Sequence, residues 1–235
     1  MSKILTIDTS TFVMGVAVTD GERVLGELIT NSKKNHSIRL MPAIDQLMKE
    51  SGVSPKDLDR IVVANGPGSY TGLRIGVTTA KTLAWSLGIP VIGVSSLALM
   101  AQVGRYFDGI VSPIIDARRG QVYTGLYTSN QQEVVGNDDR LVMLSDWLEM
   151  LARQEKQVLF VGQDVAMHQS MIEEWLGSKA QFPPYTAVLP RPSELANLSK
   201  LQVEDISTHE FLPNYHRLAE AEANWLKAQK EKGND

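Results

Sequence analysis

The chain of 235 residues has no cysteine. That absence excludes disulfides, thiolate zinc sites, iron–sulfur clusters and cysteine nucleophiles together, and it suits a reducing compartment. Histidine is scarce. His36, His168, His209 and His216 are the full set, and none lies in a His-Glu-x-x-His pattern. No Gly-x-Ser-x-Gly elbow occurs. Positive charge is also short: 23 Lys and Arg against 27 Asp and Glu give a net charge of −4. A free-standing nucleic-acid binder needs a basic surface to neutralise phosphates, and in aggregate this chain lacks one.

Long apolar runs are missing as well. The stretch from Ile4 to Ile7 is cut off by Asp8, too soon for the core of a signal peptide. Residues 82–104 carry no charge, but Gly88, Pro90, Gly93, Ser95, Ser96 and Gln102 interrupt them. They read as helix end, turn, buried strand and new helix, not as a bilayer span. What the chain does have is core material, with 43% hydrophobic and 21% charged residues. The expectation is a soluble α/β protein with no membrane contact, either one large domain or two small ones.

The opening reads as an antiparallel meander: strands at residues 3–8, 12–19 and 23–30, with Asp20-Gly21 as the hairpin turn. A helix follows from about residue 35 to 50. Its apolar positions Leu40, Met41, Ile44, Leu47 and Met48 share a face, and Pro42 is expected to kink it or to mark the start of its regular part. Residues 59–64 form a short buried strand, a glycine-rich turn spans 65–72, and a helix runs from about 71 to 87. Residues 91–94 are another buried strand, and Ser95-Ser96 caps the next helix. Alternating strands and helices imply parallel pairing here. The second half predicts strands at 111–115, 121–127 and 158–161, helices near 145–153, 166–176 and 193–201, irregular chain at 183–192 and a charged helix at 218–232. The expected boundary gives residues 1–107 and 108–235.

Three groups of residues are able to carry chemistry. Asp8-Thr9-Ser10-Thr11 lies where the first strand turns into the second. Such a turn aims N–H and hydroxyl groups at one spot, which suits a phosphate, and the Asp suits a hydrated metal. It also fits a plain polar turn bonded to its own backbone. Gly66-Pro67-Gly68-Ser69-Tyr70-Thr71-Gly72 leads from a strand into a helix. That is an anion-site geometry, and equally a tight turn that only glycine permits. It matches neither a P-loop nor the dinucleotide fingerprint. Asp116 with Arg118 and Arg119 at a strand end is an anion site or a surface turn. In the helix after the glycine turn, Gly72, Gly76, Ala80 and Ala84 recur every fourth residue, so another helix approaches closely, inside the fold or across a subunit contact. Arg74, in the first turn of that helix, opposes the dipole and calls for an acidic partner.

Taken together these segments resemble the TsaB family, also called YeaZ. The resemblance is carried by Asp8-Thr9-Ser10-Thr11, the run from Gly66 to Gly76, Ala80-Lys81, Gly93-Val94-Ser95-Ser96-Leu97, Ile115-Asp116-Ala117-Arg118-Arg119, and Pro213-Asn214-Tyr215-His216-Arg217 with Glu220-Ala221-Glu222. It implies an actin/Hsp70-like α/β fold of two related subdomains, with mixed sheets flanked by helices. It implies a cytoplasmic, non-catalytic subunit of the system that makes N6-threonylcarbamoyladenosine at position 37 of tRNAs reading ANN codons. A TsaD homologue is then the catalytic partner in a heterodimer, a TsaE homologue joins them, and the free chain forms a homodimer. The paralogue's metal-binding His-x-x-x-His has no counterpart here.

The family pairs through the two helices of its first half. Here that implies an interface of His36, Leu40, Ile44, Leu47, Tyr70, Leu73, Arg74, Gly76, Val77, Ala80 and Lys81. Asp8, Thr9, Ser10, Gly66, Gly68, Ser69, Arg118 and Arg119 are the candidate anion or nucleotide contacts. No cofactor is required by the chain and no metal is expected; ATP or ADP is expected only at the junction of the complex, and tRNA contact only through the complex. Two other readings stay open. One is an ATP-dependent kinase of the same superfold, using Asp8 and the glycine turn. The other is a glycoprotease-like metallopeptidase, for which paired ligands are missing.

Overall fold

The structure, a computed structural model, describes residues 2–32, 34–129, 134–136, 139–201 and 207–215. The first lobe begins with β1 (Lys3–Asp8), β2 (Val13–Asp20) and β3 (Arg23–Asn31), followed by α1 (His36–Glu50), β4 (Arg60–Gly66), α2 (Tyr70–Leu87), β5 (Val91–Ser95) and α3 (Ser96–Ala101). Its sheet runs in the order β3-β2-β1-β4-β5. The meander pairs antiparallel, with Leu5 opposite Val18, while β1, β4 and β5 run parallel. Both pairings are those expected from the hairpin turn and the strand–helix alternation.

The second lobe contains β6 (Ile110–Pro113), β7 (Ile115–Asp116), β8 (Gln121–Thr124), β9 (Tyr127–Ser129), β10 (Val134–Val135), β11 (Arg140–Met143), α4 (Leu144–Ala152), β12 (Val158–Val161), α5 (Val165–Leu176), β13 (Ala180–Gln181) and α6 (Glu194–Leu198). Its main sheet, β10-β9-β6-β12-β13, repeats the first in order and in direction: two antiparallel pairings on one side of the first strand, two parallel on the other. A three-stranded sheet β11-β8-β7 is added to it. This is the actin/Hsp70-like α/β architecture, two related lobes with mixed sheets flanked by helices. The lobes exchange the last described helix of each. Leu97, Met100 and Ala101 of α3 pack with Val111 and Val161 of the second lobe. Leu195, Ala196 and Leu198 of α6 pack with Ile4, Val62 and Val94 of the first.

Several local expectations change. Residues 111–115 are two strands, because β6 stays in the main sheet while Ile115-Asp116 leaves it to pair with β8. Residues 121–127 divide for the same reason: β8 joins the small sheet and β9 the large one. Only Ser95 caps α3, accepting the N–H groups of Leu97 and Ala98, whereas Ser96 is buried as the first helical residue. The α1 helix passes unbroken through Pro42. Its buried face is Leu40, Ala43, Ile44, Leu47 and Met48, and Met41 points outward instead. The predicted helix at 218–232, with His216, Arg217 and Glu220-Ala221-Glu222, lies outside the described residues.

The small-residue stripe of α2 faces inward. Gly72, Gly76, Ala80 and Ala84 are all buried, and α2 rests on β4 and β1. A Cβ on Gly76 would press on the Thr9 hydroxyl with Val63 and Ile7 behind it. The stripe therefore brings α2 close to its own sheet, and it is not a subunit contact. Gly76→Leu is accordingly expected to cost about 1–3 kcal/mol of stability through overpacking. A melting or urea midpoint equal to wild type would contradict this placement.

Candidate functional site

A cleft of about 950 Å³ separates the two lobes, and the hairpin turns that open each lobe line it. On the first side β1 ends at Asp8, whose side chain is only 2% exposed. One carboxylate oxygen accepts the Ser10 N–H at 2.9 Å and the Ser10 hydroxyl at 2.7 Å. Burial pushes the Asp8 carboxyl above the usual range, against the lowering pull of the Ser10 bonds and of His36. The His36 Nε2 lies 2.8 Å from the Thr11 carbonyl; a carbonyl only accepts, so Nε2 carries the proton.

The glycine turn closes directly onto this hairpin. The Ser69 N–H donates to the Ser10 carbonyl at 2.7 Å, the Thr9 hydroxyl donates to the Gly72 carbonyl at 2.7 Å, and the Gly72 N–H donates to Ser69 Oγ at 3.3 Å. A Cβ on Gly68 would strike the Ser10 carbonyl, and one on Gly72 the Thr9 carbonyl. Glycine is required here for close approach of two backbones. Asp8, Thr9 and Gly66 do not line the cleft, whereas Ser10, Gly68 and Ser69 do. The nucleotide that the fold class invites needs N–H groups aimed at its phosphates. The Ser69 and Gly72 N–H groups are already bonded within the protein, so these two are not aimed at a phosphate between the turns.

The second side is built differently. Asp116 Oδ2 accepts the Arg118 N–H at 3.2 Å, repeating the Asp8–Ser10 closure two residues on. Arg118 and Arg119 hold φ of 65° and 56°, left-handed backbone that is uncommon outside glycine. The turn is tied by the Gln121 N–H on the Arg118 carbonyl at 3.0 Å and the Ala117 N–H on the Gln121 carbonyl at 2.9 Å. Both arginine side chains are exposed at the cleft. Beneath them His168 Nε2 meets Asp116 Oδ1 at 3.2 Å, and Asp164 accepts the Asp116 N–H at 2.9 Å. Burial pushes the Asp164 carboxyl up, its bond to the Asp116 N–H lowers it, and the Asp116 charge raises it. Asp164 and His168 are site neighbours that sequence reading missed. Asp164 opens α5 after Gly162, and only the pseudo-repeat of the lobes would have pointed to it. Among the described residues no three carboxylates or histidines converge as metal ligands.

The expected pairing residues fall on two sides of their helices. Leu40, Ile44, Leu47, Leu73, Gly76, Val77 and Ala80 are buried against the chain's own sheet, so they seat the helices and are not available to a partner. His36 is half-buried, and Lys81 donates to the carbonyls of His209 and Phe211. Tyr70 and Arg74 face outward. The Arg74 guanidinium lies 5.5 Å from the Tyr70 ring centroid, and within the described residues this ring stands where an acidic partner was expected. The outward apolar residues are others: Ile38, 71% exposed, and Met41 on α1, with Trp85, 64% exposed, on α2. Ile38 and Trp85 stand on the sides that helical periodicity assigns to water, and that misplacement is the signal in the sequence that marks them; Met41, expected on the apolar face, lies at its edge and turns outward.

Residues 23–225 match the profile of the family described as TsaD, tRNA N6-adenosine threonylcarbamoyltransferase. The tRNA threonylcarbamoyladenosine biosynthesis protein TsaB of Bacillus subtilis (strain 168) is 54% identical over 97% of this chain and 99% of its own. TsaB of Haemophilus influenzae is 31% identical over 95% of this chain and 96% of its own. Among solved structures, YeaZ from Pseudomonas aeruginosa superposes with a TM-score of 0.75 at 27% identity, covering 92% of this chain and all of that one.

Asp8 gives the site a pH signature. Its pKa in the fold lies above the unfolded value, so the folded chain holds this proton more tightly. The associated stabilisation is fully present below the unfolded pKa and is lost as pH rises through the folded one. Asp8→Asn keeps an acceptor for Ser10 and cannot ionise. It is expected to melt higher than wild type at about pH 7.5 and to lose that advantage at about pH 4. A variant that melts lower at neutral pH would mean that the charge is needed there.

Proposed function

The chain belongs to the TsaB family, and from that premise we propose that it is the non-catalytic, pairing and activating subunit of the complex that makes N6-threonylcarbamoyladenosine. A role in tRNA threonylcarbamoyladenosine biosynthesis rests on full-length identity to TsaB proteins that carry that name. The non-catalytic part of the reading rests on one observation. The hairpin and glycine turn that would hold a phosphate or a metal are bonded to each other, with Asp8 buried beneath them. The same observation weighs against the kinase reading.

The partner in this reading is a TsaD homologue, with a TsaE homologue joining the pair and a homodimer when the chain is alone. The match to the TsaD profile supports a partner of the same fold, and related folds pair readily through equivalent faces. The outward sides of α1 and α2 supply the face: Ile38, Met41, Tyr70, Arg74 and Trp85. ATP or ADP belongs to the junction of the subunits and tRNA to the complex. No helix among the described residues is long and apolar enough to cross a membrane, and we place the protein in the cytoplasm.

Mixing the purified chain with its TsaD homologue, then measuring complex formation and tRNA modification, tests the proposal. The chain alone is expected to transfer nothing to tRNA, with or without chelator; robust modification by the isolated chain would refute the non-catalytic reading. Met41→Glu places a charge in the outward face and is expected to weaken the complex at least tenfold, about 1.4 kcal/mol, without moving the melting temperature. Unchanged binding by this variant would displace the interface from α1. The isolated chain, with its net charge of −4, is expected to bind tRNA more weakly than micromolar at physiological salt.

A further inference from the structure

The segment of residues 207–215 lies along α2. His209 meets Trp85 edge to face at 6.3 Å, and Tyr215 stacks on Tyr70 at 5.0 Å. Residues 208–210 are a turn, in which the Glu210 and Phe211 N–H groups donate to the Ser207 carbonyl at 2.9 and 3.1 Å. With His209 at the Trp85 end and Tyr215 at the Tyr70 end, the segment crosses α2 antiparallel to it. Between its ends Lys81 Nζ donates to the His209 carbonyl at 2.8 Å and to the Phe211 carbonyl at 3.2 Å, and the Asn214 N–H donates to the Asn65 carbonyl at 2.7 Å. Phe211 is buried in the first-lobe core. Gly66 has no room for a side chain, because a Cβ there would strike the Asn214 carbonyl.

This is a fitted contact, yet it leaves apolar surface in water. Leu212 is 70% exposed beside Phe211, and Tyr215, Tyr70 and Trp85 each remain substantially exposed along the same line. An anchored strap with its next apolar residue turned outward extends the outward face of α2 instead of covering it. We propose that residues 207–215 complete the pairing face, so that a subunit of the same fold binds α2 and the strap as one surface, with Leu212 and Tyr215 inside its footprint. This rests on the pairing reading above and adds to it a segment distant in sequence from both helices. Strap docking and partner binding are then linked, because the partner binds the docked form and stabilises it.

The test uses the full chain and its purified TsaD homologue. Hydrogen exchange of the amides in 209–215 is expected to slow at least tenfold on adding the partner. Leu212→Glu, at a residue already in water, is expected to leave the melting temperature unchanged and to raise the partner Kd at least tenfold. Phe211→Ala, which frees the anchor, is expected to speed strap exchange in the free chain and to weaken the partner as well. Tyr185→Glu, on an exposed residue of the second lobe, is the control and is expected to bind as wild type. If wild type fails to bind the TsaD homologue, the pairing reading falls and this proposal with it. If wild type binds while Leu212→Glu binds equally and strap exchange is unmoved, the strap proposal alone is overturned.

Discussion

The contact between the first hairpin turn and the glycine turn governs the rest of the first lobe. Gly68 and Gly72 rest on the carbonyls of Ser10 and Thr9, and Gly76 rests on the Thr9 hydroxyl. Two backbones touch with no side chain between them. That proximity brings the Ser69 N–H within reach of the Ser10 carbonyl and the Thr9 hydroxyl within reach of the Gly72 carbonyl. It also sets how deeply α2 sits over β1 and β4. The propensity cost of two helical glycines, about 1 kcal/mol each against alanine, is offset by the packing and hydrogen bonds that only glycine allows. Everything on the outward side of α2, including the strap, takes its position from this inner contact.

The two lobes share a topology and differ at its working end. Each opens with a hairpin closed by an Asp that accepts the N–H two residues on: Asp8 from Ser10, and Asp116 from Arg118. In the first lobe the Asp is buried under a glycine turn that fills the space beside it. In the second lobe β12 leads into Gly162, but Gln163 and Asp164 come next in place of further glycines. Here side chains meet the hairpin, Asp164 on the Asp116 N–H and His168 on the Asp116 carboxylate, and the Arg118–Arg119 tip stays open to the cleft. The left-handed Arg118 and Arg119 then carry their charges outward. One sheet order thus gives one sealed turn and one open turn, and the residues just past the equivalent strands, β4 and β12, make the difference.

Much of this was legible in the sequence, for physical reasons. Hairpin chemistry at Asp20-Gly21 and apolar runs bounded by turns pointed to the meander and the parallel strands. The glycine-rich run placed the turn into α2, and the family segments carried the fold. What escaped was the side of each helix. Leu40, Ile44 and Leu47 are three or four residues apart, but that spacing says only that they share a face, and not whether the face meets a sheet or a partner. In a mixed sheet each helix must first cover its own strands, so the regular apolar stripe goes inward. The apolar residues left outward are Ile38 and Trp85, off the regular stripe, and Met41, at its edge. The strand breaks at Ile114 and at 125–126 escaped as well, because a local alternation of Val122, Thr124 and Leu126 carries no sign of a change of sheet.

The same logic bears on the pairing reading proposed above. Polar groups left unsatisfied at a cleft cost stability unless a ligand offsets the loss. Here the first-lobe hairpin uses such groups in internal bonds. Asp8 remains as a buried carboxyl whose raised pKa records the cost of keeping it dry. The outside of α1 and α2 carries exposed apolar residues, Ile38, Met41 and Trp85. Apolar surface in water is relieved by another protein surface and not by a small anion. The pairing reading proposed above rests on this contrast between a polar turn closed by its own bonds and apolar residues exposed on the helices beside it.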